Sequence, residues 1–167
     1  MKLAICYFSA TGRTESMAKA MAASMSQAQP DAEVRCISIT ELTTEHPDNV
    51  AYVNACQGVV FGTPDYYAGE CWQMKKWLDV CPCKLAHKLG GSFATANFPV
   101  GGAVVAIERI LTHLLVQGML VFSGGSAFGQ PFIHLGPTCY RGQEEEGARL
   151  MGVFGQRFAN KARELFG

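Results

Sequence analysis

The stretch Ser9-Ala10-Thr11-Gly12-Arg13-Thr14-Glu15-Ser16 sets hydroxyls at residues 9, 11 and 14 around a glycine. It precedes Met17, Ala18, Ala20 and Met21, which are spaced as the inner side of a helix. Such hydroxyls donate to phosphate oxygens, Gly12 lets the backbone turn tightly, and free N–H groups of a first helical turn add a partial positive end. Arg13 brings a positive charge to the same turn. The competing reading is a capped helix, with Thr14 or Thr11 as N-cap and the hydroxyls serving only their own backbone. Neither Gly-x-x-x-x-Gly-Lys-Ser/Thr nor Gly-x-Gly-x-x-Gly follows the first strand, which lowers the rank of ATP, GTP and a dinucleotide.

Two further stretches fit a planar ligand. Gly62-Thr63-Pro64-Asp65-Tyr66-Tyr67-Ala68-Gly69-Glu70 offers paired tyrosines between a proline that fixes φ and a glycine that permits a return. Tyr66 or Tyr67 would show a flat face to a ring, or both would pack over the following helix. Thr95-Ala96-Asn97-Phe98-Pro99-Val100-Gly101-Gly102 combines small residues with a Gly-Gly pair. Its backbone N–H groups could face the carbonyl edge of a flavin and stabilise charge on reduction; a simple mobile loop is the alternative. His134 follows the last strand; as a lone histidine it is read as structural or exposed, or as a ring neighbour.

The elements that must position these stretches follow from the apolar pattern. Strands are predicted at Lys2–Ser9, Glu33–Ile39, Gly58–Gly62, Gly91–Thr95 and Met119–Ser123, nearly continuous in apolar character, as a parallel sheet covered on both faces requires. Helices are predicted at Thr14–Ser26, Cys71–Cys81, Ala103–Gln117 and Glu144–Leu165, with weaker helical segments at Ile39–Leu42 and Asn49–Cys56. The alternation implies one doubly wound α/β domain over residues 1–167, with ligands at the carboxyl ends of the strands.

Bulk properties narrow the function. Fourteen basic residues balance fourteen acidic ones without a basic run, so neither nucleic acid nor an anionic membrane surface is an expected partner. The apolar runs are strand-length, and the N-terminus reads as a strand rather than a signal peptide, so a cytoplasmic location is expected. Seven scattered cysteines suit a reducing compartment and small core positions.

Together the three loops resemble the flavodoxin-like superfamily, especially the NAD(P)H:quinone oxidoreductases of the tryptophan-repressor-binding-protein type. The resemblance rests on Tyr7 to Ala18, on Phe61-Gly62-Thr63-Pro64, and on Gly91 to Thr95 followed by Gly101-Gly102 and Gln117-Gly118-Met119. It implies a five-stranded parallel sheet in the order 2-1-3-4-5 and FMN as cofactor. Ser9, Thr11, Gly12, Arg13 and Thr14 would hold the phosphate. Pro64, Asp65, Tyr66 and Tyr67 would contact the ring, and Thr95, Ala96, Asn97, Phe98, Gly101 and Gly102 would wrap its edge.

The expected activity is electron transfer from NAD(P)H through FMN to a quinone or other small acceptor, in a homo-oligomer. Tyr66, Tyr67 and His134 are the residues nominated beside the reacting ring. The alternative is a one-electron carrier that docks to redox proteins. The chain departs from the oxidoreductase pattern in carrying Gln117 where a histidine is frequent, in its third loop, and in lacking longer insertions. Cys81-Pro82-Cys83, with Cys71 and His87 nearby in sequence, lacks the compact set of four cysteines that clusters need, so no metal is expected.

Overall fold

The computed structural model describes all residues from Met1 to Gly167. The strands are β1 (Lys2–Tyr7), β2 (Glu33–Ser38), β3 (Gly58–Pro64), β4 (Leu89–Ala96), β5 (Leu120–Val121) and β6 (Thr138–Tyr140). The helices are α1 (Arg13–Ala28), α2 (Pro47–Ala55), α3 (Trp72–Asp79), α4 (Ala103–Val116) and α5 (Glu144–Phe166). All strand pairs are parallel, in the order β2-β1-β3-β4-β5, with β6 also paired to β4.

Side chains alternate between the two faces of a strand, and the central strands are apolar on both. Ala4 and Cys6 of β1, Val59 and Phe61 of β3, and Ala94 and Ala96 of β4 join the core under α2, α3 and α4. Leu3, Ile5 and Tyr7, Val60, and Leu89 and Phe93 join the core under α1 and α5. Gly155 lets α1 and α5 approach closely: a Cβ there would stand 2.7 Å from the Met21 carbonyl oxygen.

The expected elements appear with shifted ends. β1 stops at Tyr7 rather than Ser9, β4 starts at Leu89 rather than Gly91, and α3 occupies only Trp72–Asp79 of the predicted Cys71–Cys81. Proline cannot continue a helix, and Pro82 follows closely. The weaker segments become a 3-10 turn at Ile39–Glu41 and α2, which opens on Pro47 in its first turn.

The fifth strand requires a correction. Only Leu120 and Val121 of the predicted Met119–Ser123 pair with β4, at Leu89 and Gly90. The chain then leaves the edge through Gly124 (φ 89°) and Gly125 (φ 61°), and Thr138–Tyr140 returns to pair with Ala94–Ala96. Two short strands therefore share the fifth position.

The intervening segment is gathered around the Arg157 guanidinium. It donates to the carbonyl oxygens of Gly124, Gly125, Phe128, Gly129 and Pro131 at 3.1–3.4 Å. Hydrogen bonds to a charged group contribute about 1.5–3 kcal/mol. Arg157→Ala is expected to lower stability by about 2–3 kcal/mol and to expose the amides of residues 122–137 to fast hydrogen exchange. Unchanged protection in that segment would refute this role.

Candidate functional site

The turns after β1, β3, β4 and β6 meet at the carboxyl ends of the strands, as open parallel sheets dictate. There, Ala10, Thr11, Arg13, Thr14, Pro64, Asp65, Tyr66, Thr95, Ala96 and Asn97 line a cleft of about 220 Å³. Asp65 and Asn97 continue into an apolar groove lined by Tyr67, Phe98, Val100, Gly101 and Gly102. Thr11, Arg13 and Asn97 continue on the other side into a polar groove with Gly12, Ser16, Arg141 and Glu144.

In the first turn, Ser9 serves the loop itself: its Oγ accepts the N–H groups of Gly12 at 3.1 Å and Glu15 at 3.3 Å. Gly12 sits at φ 89°, a left-handed conformation that costs other residues strain, and opens α1. The N–H groups of Ala10, Thr11, Arg13 and Thr14 have no acceptor in the protein. Four donors beside a helix N-terminus make an anion cradle.

The buried Thr14 hydroxyl lies 2.9 Å from that of Thr95, joining the first loop to the end of β4. Thr95→Val is expected to strand the Thr14 hydroxyl and cost about 1–2 kcal/mol. The Thr14→Val/Thr95→Val pair is expected to cost less than the sum of the single changes in a urea-denaturation cycle. Strict additivity would show that the bond contributes nothing.

Arg13 does more than add charge to this turn. Its guanidinium donates to Asn97 Oδ1 at 3.2 Å and the Ala96 carbonyl at 3.5 Å, and pairs with Glu144 at 3.2 Å. It ties the first loop, the third loop and α5 together. Backbone N–H groups at Gly142 and Glu144, with Arg13 beside them, hold the Glu144 carboxyl below its ordinary pKa. Ser16, Arg141 and Glu144 also line the site, beyond the residues expected from the sequence. Glu144 stands 131 positions from Arg13, and no local pattern marks that pairing.

The Gly-Thr-Pro run works from behind the cleft. Gly62 clears the Phe93 ring, which a Cβ would meet at 2.2 Å, and Thr63 is fully buried. Thr63 Oγ1 accepts the Cys71 N–H at 3.0 Å and donates to the Pro64 carbonyl at 2.9 Å, closing the base of the second loop. The return at the loop tip is not made by Gly69. Tyr67 and Ala68 carry the positive φ values, 53° and 59°, and the Tyr66 N–H donates to the Gly69 carbonyl at 2.9 Å.

Consecutive left-handed non-glycine residues store about 1–2 kcal/mol each. Ala68→Gly is expected to raise stability by about 1 kcal/mol, read as a higher urea midpoint. A lower midpoint would contradict stored strain there. Tyr67 projects wholly into solvent, so it does not pack over α3, and Tyr66 stands part-exposed at the cleft edge.

The second and third loops meet at Asp65. Its Oδ2 accepts the Gly102 N–H at 2.9 Å, whereas Oδ1 is buried with no donor in the protein. The N–H groups of Asn97, Phe98 and Val100 likewise have no protein acceptor. The arrangement offers donors for an anionic group at one end of the cleft. At the other end it offers one buried acceptor and several donors for the polar edge of a planar ring.

His134 is not part of it. It is exposed on the segment between β5 and β6 and lines neither the cleft nor the adjoining grooves. That follows from the division of the fifth strand, which carries the segment off the sheet edge. No three His, Cys, Asp or Glu side chains gather as a metal-binding set, and no helix is long and apolar enough to cross a membrane.

No protein-family model matches the chain. A flavodoxin from Clostridium saccharobutylicum is 40% identical over 167 residues, covering 99% of this chain and all of that protein. An NAD(P)H dehydrogenase (quinone) from Gluconacetobacter diazotrophicus is 23% identical over an alignment of 194 residues, covering 96% of this chain and 98% of that protein.

Among solved structures, the flavodoxin, WrbA-like protein from Agrobacterium tumefaciens superposes with a TM-score of 0.73 at 24% identity, covering 98% of both chains. The Fusobacterium nucleatum flavodoxin bound to flavin mononucleotide gives 0.69 at 13% identity, covering 99% of both. These two likenesses establish the fold, and the end-to-end match to the clostridial protein goes further: the chain belongs to the flavodoxin family.

Proposed function

We propose that this chain binds FMN in the cleft and serves as an electron carrier between redox proteins. The observation that carries the reading is the set of unpaired N–H groups of Ala10, Thr11, Arg13 and Thr14, which share the cleft with Asp65 and its unpaired buried oxygen. In this reading the first loop binds the phosphate through backbone donors and the Thr11 hydroxyl. Arg13, already engaged with Asn97 and Glu144, acts as a strut that fixes the third loop against α1. Tyr66 would flank the ring, Asp65 Oδ1 would be free to accept from its polar edge, and the N–H groups of Asn97 and Phe98 would be free to donate to it.

Bound FMN would supply the electron-accepting chemistry, and the protein would supply position and electrostatics. The carrier reading is favoured by the outer rim, where Tyr67, Phe98 and Val100 stand exposed along the apolar groove. Such an apolar rim suits contact with another protein. The full-length clostridial relative, named as a flavodoxin, points the same way.

The second reading is an NAD(P)H-dependent oxidoreductase for a quinone or other small acceptor, favoured by the relatives that carry that name. The exposed rim would then be the place for a contact between copies.

The test is to titrate the protein with FMN, remove oxygen, and add NADH or NADPH before a chemical one-electron reductant. The expected result is tight, saturable FMN binding, a spectrum unchanged by pyridine nucleotide, and two resolved one-electron steps. Rapid bleaching by NADH or NADPH would replace the carrier with the oxidoreductase. Failure to bind FMN would overturn both.

A further inference from the structure

Cys81 and Cys83 lie just past the C-terminal end of α3, with only Pro82 between them. Both are free, half-buried, and packed against the core under α2, α3 and α4. The Cys81 thiol donates to the Cys83 carbonyl oxygen at 3.7 Å, which sets its sulfur against the residue that carries the second thiol. Residues two apart have Cα atoms at most about 7 Å apart, and disulfides bridge Cα separations of about 4.4–6.8 Å. Pro82 fixes the φ between the two sulfurs.

The turn is anchored to the α2–β3 junction. The Lys84 N–H donates to Asn54 Oδ1 at 2.7 Å, and the Lys88 ammonium donates to the carbonyls of Asn54 and Cys56 at 2.8 and 2.7 Å. It lies at the end of α3 remote from the cleft, because α3 starts beside the second loop and runs back toward the start of β4.

The pair differs from the other cysteines. Burial pushes the thiols of Cys6, Cys71 and Cys139 up, Cys36 to about 11 and Cys56 to about 12. Cys81 alone is shifted down, because its thiolate accepts the S–H of Cys83, which correspondingly holds its own proton. One sulfur is thus readied as nucleophile beside a second that resolves it, the arrangement thiol–disulfide exchange needs.

We propose that Cys81 and Cys83 form a redox-active dithiol, distinct from the cleft, that cycles with an intramolecular disulfide by exchange with low-molecular-weight disulfides. The Cys81 thiolate attacks R–S–S–R, forming Cys81–S–S–R and releasing a thiolate that takes up the proton Cys81 gave up. Cys83 then loses its proton and attacks the Cys81 sulfur, closing the Cys81–Cys83 bond and expelling the second thiol. Two protein thiols are oxidised and one disulfide is reduced to two thiols. Excess small thiol reverses both steps.

The test exposes the full-length protein to oxidised glutathione near neutral pH, then quenches with acid, alkylates, and reads each cysteine by peptide mass spectrometry. The wild type is expected to lose alkylation at Cys81 and Cys83 together, their peptide becoming two hydrogens lighter without an adduct. Cys83→Ser is expected to trap glutathione on Cys81. Cys81→Ser is expected to slow glutathione addition to Cys83 at least tenfold relative to Cys81 in Cys83→Ser. If either variant fails to fold by circular dichroism, the wild-type reading alone decides. Both thiols staying alkylated in the folded wild type would overturn the proposal, as would equal adduct rates in the two variants.

Discussion

Phe158→Ala is expected to cost about 3–5 kcal/mol, the range for removing a fully buried aromatic ring. Phe158 is completely buried, with ring centroids 5.9 Å from Phe154 and 6.3 Å from Phe122. The site resists collapse because the strands beneath it present glycine. A Cβ at Gly58 would stand 2.7 Å from the Phe158 ring, and one at Gly91 would meet the Phe154 ring at 2.9 Å and the Phe158 ring at 3.1 Å.

The two rings therefore fill the depth that Gly58 and Gly91 leave, and backbone cannot move up to close the hole. With total stabilities of about 5–15 kcal/mol for a domain, such a loss consumes a large share. Urea denaturation of the wild type, Phe158→Leu and Phe158→Ala measures it. A cost below about 1 kcal/mol for the alanine variant would mean the α5 face repacks freely.

Gly102→Val is expected to weaken FMN binding at least tenfold, equivalent to about 1.4 kcal/mol, with a smaller effect on the stability of the unliganded chain. A Cβ at Gly102 would fall 2.0 Å from Ala68 Cα and 2.2 Å from its Cβ, so the second and third loops must separate. Separation breaks the bond from the Gly102 N–H to Asp65 Oδ2 and moves the unpaired Oδ1 with it. Gly102 has φ −102°, open to any residue, so the effect is steric and confined to the loop contact.

Gly101→Ala is the milder comparison, since its Cβ would lie 3.1 Å from both Asp65 Oδ2 and the Phe98 carbonyl. FMN fluorescence titration and urea denaturation separate the two effects. Unchanged affinity in Gly102→Val would show that the contact between these loops does not shape the ring site.

Much of the site was readable because a parallel, doubly wound sheet delivers consecutive strand ends to one crevice. Once the apolar runs marked β1, β3 and β4, the turns at Ser9–Thr14, Pro64–Tyr67 and Thr95–Gly102 had to converge, and they do. Gly12 and the Gly-Thr-Pro run were legible for the same local reason: turns and close approaches demand residue types that leave a trace in sequence.

Interactions between distant residues left no such trace. The sequence offers Arg13 as a charge for the phosphate turn and leaves no sign of its contacts to Asn97 and Glu144, and nothing near Arg157 marks it as the residue that organises the segment dividing the fifth strand. The left-handed turn falls on Tyr67 and Ala68, where propensity would place it on Gly69, because the contact with Gly102 and the Asp65 bond outweigh local preference. His134, which the sequence offers as structural, exposed or a ring neighbour, is exposed, because the divided edge carries its segment away from the cleft.

Short-range sterics and apolar periodicity by themselves determined the alternating elements and the three loops, since each depends on neighbours within a few residues, whereas the strand order followed from the family resemblance. The tertiary structure alone decided which donors stay unpaired, which charges become struts and where the fifth strand divides. Those outcomes are settled by competition among partners brought together only when the chain has closed on itself.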